Sequence, residues 1–210
     1  MAKIIGINGS PRKNKNSALL LDHALAGAKA MGAEVERIDL IDLRFSGCRS
    51  CFACKQLGGS GYGRCVVQDD LKAVLEKILQ ADGVIISAPI YFGDVPGMVR
   101  NLFERLWFPG LTYKKDGSIN YTKRVKTALF YTMNVTDAAF YEKLIGSHKG
   151  TMDRFLGETR VLCATDTLQF DDYSRYSGDM FDPVHKQQRH ETQFPIDCAE
   201  AEKIGKWLAE

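Results

Sequence analysis

Apolar positions along the chain alternate between two spacings. Lys3 to Asn8 is a β-branched run stopped by Gly9-Ser10-Pro11, which predicts a strand and then a turn. From Ser17 the spacing becomes helical, with Leu20, Leu21, Ala24, Leu25 and Ala28 on one stripe and Gly32 as a C-terminal stop. Val35 to Asp39 predicts a second strand, parallel to the first through a right-handed crossover. Asp69 and Asp70 then open a helix carrying Leu71, Val74, Leu75, Ile78 and Leu79, and Gly83 precedes the strand Val84 to Ala88. That strand is apolar on both faces, as in the middle of a parallel sheet covered on both sides. Pro96 suits a helical first turn, followed by Met98, Val99, Leu102, Phe103 and Leu106 at helical spacing. A fourth strand, Val125 to Tyr131, a helix from about Ala138 to Gly157 and a fifth strand, Val161 to Ala164, complete the alternation.

Five strands alternating with helices predict an α/β fold, a doubly wound parallel sheet in the flavodoxin-like order 2-1-3-4-5. Its length of 210 residues suits a single domain, 1–210. Two departures from regular structure are expected: a cysteine-bearing loop at 46–66, and an irregular extension at about 166–210 that ends in a helix from about Cys198 to Leu208. Phe108 to Lys123 is also long for a plain connection, and such segments often form lids, binding loops or subunit contacts.

Charge narrows the partners. With 28 basic and 26 acidic residues the formal charge is +2, which gives no electrostatic footprint for nucleic acid or an anionic membrane surface. Neither a secretory signal nor a membrane-spanning apolar run is visible, so a cytoplasmic protein is expected. In that compartment clustered cysteines bind metal or do redox chemistry more often than they form structural disulfides. Four of the six cysteines, Cys48, Cys51, Cys54 and Cys65, fall in one stretch, and the first three are spaced CxxCxxC. Placed in the loop after the second strand, they suggest an iron-sulfur cluster, another metal site or a redox-active thiol set.

Two further loops would lie on the same carboxyl edge of the sheet. Gly9 to Ser17 offers hydroxyls, amides, backbone donors and cations at a helix N-terminus, which suits a phosphate, although it is neither a Walker loop nor a GxGxxG fingerprint. A polar turn with Ser17 as helix cap is the alternative reading of that segment. Ala88 to Gly97 offers aromatic rings, prolines and glycines, which suit a flat heteroaromatic ring approached by backbone N–H groups. A rigid loop with core aromatics is the alternative there.

In order, GSPRKNKNS at Gly9 to Ser17 and SAPIYFGDVPGMVRNLFERL at Ser87 to Leu106 resemble the NADPH-dependent FMN reductase family. The resemblance implies non-covalently bound FMN. Around its phosphate it places Ser10, Arg12, Asn16, Ser17 and Ala18, and around its ring Pro89, Ile90, Tyr91, Phe92, Gly93 and Asp94, with Thr132 to Val135 approaching as well. Within that family the cysteines are similar to those of the iron-sulfur flavoproteins, which implies a four-iron four-sulfur (4Fe-4S) cluster on Cys48, Cys51, Cys54 and Cys65. Ten residues separate Cys54 from Cys65, a longer gap than the family's compact motif, filled by a glycine-rich run that can close at modest entropic cost. Free or redox-active thiols rank second and zinc third, since structural zinc sites usually draw on two separated cysteine pairs.

The resemblance implies an FMN-dependent oxidoreductase passing electrons between NAD(P)H, or a ferredoxin-like donor, and an acceptor, in a homodimer or homotetramer. A flavodoxin-like carrier or redox sensor without turnover is the alternative. No side-chain acid or base stands out as catalytic. Cys163 and Cys198 read as small apolar residues, and His185 and His190 as solvated. Trp107, Phe108, Tyr113 and Tyr121 suit core or interface packing, and the aromatics between Leu168 and Ile196 are expected to wrap over a neighbour.

Overall fold

A computed structural model describes residues 1–210. Strand β1 (Lys3–Asn8) leads through helix α1 (Asn16–Ala30) to β2 (Glu34–Asp39), and α2 (Asp70–Gln80) leads to β3 (Gly83–Pro89). Helix α3 (Gly97–Gly110), β4 (Lys126–Thr132), α4 (Glu142–Phe155), β5 (Thr159–Ala164), α5 (Pro183–Thr192) and α6 (Phe194–Ala209) follow. All four strand pairings are parallel, and the spatial order is β2-β1-β3-β4-β5. This is the doubly wound arrangement expected from the hydrophobic pattern.

Alternation along the strands divides the core into two layers. Ile5, Ile7, Val84, Ile86 and Leu129 pack against α2, α3 and α4, whereas Ile4, Ile85, Ala128 and Phe130 pack against α1 and α6. Helices α1 and α6 approach until their backbones nearly touch: a Cβ on Gly205 would lie 1.8 Å from the Ala24 carbonyl oxygen. No helix is long and apolar enough to cross a membrane.

The C-terminal region is more regular than the hydrophobic pattern predicts. Residues 183–192 form α5, and α6 starts at Phe194, four residues ahead of the expected Cys198. The sequence of α5, PVHKQQRHET, buries only Lys186, so it has no apolar stripe to betray it. Its signal is local: the Asp182 carboxylate accepts from the Val184 and His185 N–H groups, with Pro183 in the first turn. Between β4 and β5, the helix expected from Ala138 begins as a 3₁₀ turn, Ala138–Tyr141, and becomes α4 at Glu142.

Candidate functional site

Strands β1 and β3 are neighbours whose connections leave in opposite directions, so the crevice at their carboxyl ends is the topological switch point of the sheet. The β1–α1 loop is pressed into that crevice: a Cβ on Gly9 would sit 2.3 Å from Val99 Cγ2. Asn8 donates to Asp39 Oδ1 at 2.6 Å and accepts from the Ser10 N–H at 3.1 Å, while Ser10 Oγ accepts from the Arg12 N–H at 3.1 Å. Ser17 is not the helix cap. Its hydroxyl is buried against Thr132 Oγ1 at 2.7 Å, and its carbonyl accepts from Ser87 Oγ at 2.7 Å, which ties β1–α1, β3 and β4 together. The capping position falls to Lys15, whose side chain gives no cap bond, so the first N–H groups of α1 lack side-chain partners.

The β3–α3 loop turns sharply. Tyr91 and Asp94 exchange backbone hydrogen bonds, with Phe92 at φ 50° and Gly93 at φ 85° between them, two left-handed residues as a type I′ turn needs. Pro89 ends β3, and the Ile90 N–H is held by the Thr132 carbonyl at 2.9 Å. The Phe92 ring stands fully in solvent and Tyr91 is exposed beside it. Asp94 faces a group that the sequence pattern does not single out: His148 Nε2 lies 3.7 Å from Asp94 Oδ1 and 3.4 Å from Arg100 Nη1, and Nδ1 lies 3.0 Å from the Tyr131 hydroxyl. Burial holds the His148 pKa below the usual imidazole value, against the pull of Asp94. The signal in the sequence is spacing, because Ile145, His148 and Met152 share the core-facing side of α4.

A strap from the C-terminal region crosses this edge. Asn16 Nδ2 donates to the Leu168 carbonyl at 2.8 Å, Arg12 Nη1 to the Gln169 carbonyl at 2.7 Å, and Lys15 pairs with Asp171 at 2.5 Å. Asn134, in the loop after β4, donates to Gln169 Oε1 at 2.6 Å. The strap is anchored by buried Asp166, which holds φ 54° and accepts from Lys186 and, at 2.6 Å, from His185. Burial alone would raise the Asp166 pKa, but the hydrogen bonds from Lys186 and His185 bring it below the usual carboxylate range. His185 is therefore engaged by a carboxylate, and His190 stacks on Phe194 with ring centroids 5.1 Å apart.

The cysteine loop packs on α3. Cys48, Cys51, Cys54 and Cys65, all free thiols, border one cleft, whose other walls include Phe52, Val66, Val67, Phe108 and Pro109. Ser50 and Phe52 both take left-handed backbone, at φ 50° and 55°, which costs energy in non-glycine residues and curls the CxxCxxC segment. Four cysteine sulfurs around an apolar-walled cleft are the donor type that an iron-sulfur group takes, although no three His, Cys, Asp or Glu side chains converge there as a formed metal site. Burial raises the Cys54 thiol pKa, whereas Cys48 and Cys51 are exposed.

One face of α3 grips this loop. Glu104 Oε2 accepts from the Cys48 N–H at 3.0 Å, Phe108 meets Phe52 edge-on at 5.9 Å, and Lys55 Nζ caps the helix by donating to the Phe108 and Leu111 carbonyls. Arg105, 1 % exposed, lies at the centre. Its Nε donates to Cys65 Sγ at 3.3 Å, Nη1 to the Ser46 carbonyl at 3.0 Å and to Asp69 Oδ2 at 2.6 Å, and Nη2 to the Val67 carbonyl at 3.3 Å. Neither Glu104 nor Arg105 is marked as functional by residue pattern. A charged residue at the apolar stripe of Leu102, Leu106 and Pro109 was the available signal.

Sheet order, switch-point crevice and edge loops define a flavodoxin-like α/β domain. Residues 2–131 match the model of the NADPH-dependent FMN reductase family, and the chain belongs to that family. Over 103 residues it is 39% identical to an iron-sulfur flavoprotein of Methanocaldococcus jannaschii, covering 49% of this chain and 51% of that protein. An iron-sulfur flavoprotein of Archaeoglobus fulgidus is 41% identical over 103 residues, covering 49% of this chain and 48% of its own. The matches thus span about half the length of these curated relatives. Among solved structures, an azoreductase from Bacillus anthracis superposes with a TM-score of 0.70 at 18% identity, covering 99% of this chain and 100% of its own, a likeness of fold.

Proposed function

We propose that this protein is an FMN-dependent oxidoreductase that passes electrons between NAD(P)H or a ferredoxin-like donor and an acceptor, with a four-iron four-sulfur cluster beside the flavin. The observation that carries the reading is the shared helix. Helix α3 leaves the loop expected to hold the flavin ring and, eight residues on from Gly97, about 12 Å along its axis, presents Arg105 to Cys65.

In this reading the N–H groups at the start of α1, with Ser10, Arg12, Asn16, Ser17 and Ala18, hold the FMN phosphate. The ring lies against Pro89, Ile90, Tyr91, Phe92, Gly93 and Asp94, where the tight turn exposes aromatic surface and backbone donors. Bound FMN would supply hydride and single-electron chemistry, which lets it join two-electron and one-electron partners. Cys48, Cys51, Cys54 and Cys65 would hold the cluster, and the apolar walls of their cleft would exclude water from it. Any nicotinamide site would be transient and stacked on the exposed ring, and assembly as a homodimer or homotetramer would cover the aromatics left open.

Anaerobically prepared protein tests both cofactors by absorption spectrum with iron, sulfide and zinc analysis. About four irons and four sulfides per chain are expected, and zinc or metal-free thiols would overturn the cluster. Stopped-flow mixing with NADPH, NADH and a reduced ferredoxin, followed at the flavin band, tests turnover. Bleaching by at least one donor and reoxidation by an acceptor are expected. A flavin that no nicotinamide bleaches would leave the carrier or sensor reading in place of a reductase.

A further inference from the structure

Ten residues separate Cys65 from Cys54, a run containing four glycines, Gly58, Gly59, Gly61 and Gly63. A chain of that composition does not by itself hold a side chain in one place. Yet Cys65 borders the same cleft as the CxxCxxC cysteines. The residues on either side of the loop explain how. Ser46 lies just before Cys48, and Val67 and Asp69 lie just after Cys65. All three, together with the Cys65 sulfur, are bonded to the single guanidinium of Arg105.

We propose that Arg105 is a positioning residue for the fourth ligand of the cysteine site: its planar guanidinium closes the two ends of the cysteine-bearing loop on α3 and aims Cys65 at Cys48, Cys51 and Cys54. The inference rests on the cluster reading above. A fully buried cation with four acceptors has its charge answered by Asp69 and three further N–H groups given to two carbonyls and a sulfur, which leaves it little freedom to move. A lysine has one nitrogen and cannot span all four groups. The N–H donated to sulfur would persist when the sulfur binds iron, because a metal-bound thiolate keeps lone pairs to accept it. Hydrogen bonds of that kind withdraw negative charge from a cluster and raise its reduction potential.

The test compares wild type, Arg105→Lys, Arg105→Gln and Cys65→Ser, with flavin content and far-ultraviolet circular dichroism confirming that each folds. Hydrogen–deuterium exchange of cluster-free protein reads the clamp. Residues 62–69 should exchange at least about tenfold faster in Arg105→Gln, the change that loss of a charge-assisted hydrogen bond produces, with β1 unaffected. Iron and sulfide analysis after anaerobic reconstitution reads the ligand. Arg105→Gln should lose iron relative to sulfide as Cys65→Ser does, with Arg105→Lys between it and wild type, and the potential of the four-iron cluster that remains should fall in both Arg105 variants. Unchanged exchange, or faster exchange with wild-type iron and potential, would overturn the proposal. Wild type that takes up no iron and sulfide would defeat the cluster reading itself, and the exchange data would then show whether the clamp exists apart from it. Should Arg105→Gln not fold, Arg105→Lys decides by the same measurements.

Discussion

His148 Nδ1 and the Tyr131 hydroxyl are 3.0 Å apart, joining α4 to the central sheet beneath the β3–α3 turn. Burial lowers the His148 pKa, so the unfolded chain takes up a proton near the ordinary imidazole value while the folded chain stays neutral. The unfolded state then binds more protons in the window below about pH 6.5, and stability falls as pH drops through it. Urea midpoints measured between pH 7.5 and 5 should decline for wild type and flatten in that window for His148→Gln. An equal slope for both proteins would remove His148 as the source.

Ser17 and Thr132 form a buried hydroxyl pair at 2.7 Å that fixes α1 to the end of β4. Ser17→Ala leaves the Thr132 hydroxyl without this partner and should cost about 1–3 kcal/mol. Removing both hydroxyls, as Ser17→Ala with Thr132→Val, should cost less than the two single changes summed. Chemical denaturation of the four proteins measures this coupling.

Gly205 sits where α6 meets α1, with no room for a side chain. Gly205→Ala would drive a methyl group into the Ala24 backbone carbonyl, from which an ideal Cβ is only 1.8 Å away. Overpacking of this kind costs about 1–3 kcal/mol when side chains can yield, and a rigid helix backbone puts the expectation at or above the upper end. Thermal unfolding of the variant would measure the loss. Gly146→Ala on α4, which meets nothing within 4 Å, is the matched control and should be neutral or stabilising.

Lys186 and Asp166 form a buried ion pair that anchors the strap over the β1–α1 loop. Lys186→Met leaves the Asp166 carboxylate without its buried cation and should destabilise by about 3–5 kcal/mol. The strap should loosen first. Limited proteolysis should therefore cut between residues 166 and 182 several-fold faster in the variant, at a protease concentration that leaves wild type intact.

How far the fold could be read ahead depended on the kind of element. Strands such as Val84 to Ala88 and helices such as Asp70–Gln80 carry their burial in their spacing, because a two-sided sheet demands continuous apolar residues and an amphipathic helix demands a stripe. Helix α5 escaped because its stability comes from a cap and one buried lysine, neither of which has a period. The edge loops were legible as glycine, proline and aromatic clusters. Their partners were not: Leu168, Gln169 and Asp171 reach Asn16, Arg12 and Lys15 from about 150 residues away, and such pairings leave no local trace.

The sequence by itself determined the order of strands and helices, and with it the sheet edge on which the two loops and the cysteines would gather, because hydrophobic periodicity and right-handed crossovers leave few alternatives. Only the tertiary structure decided which side chains hold those loops in place. The burial of Arg105 and its four hydrogen bonds, the His148–Tyr131 contact and the strap over the β1–α1 loop are long-range contacts. A polar residue becomes a clamp when folding removes water from it and leaves a few chosen partners, and that depends on neighbours distant in the chain.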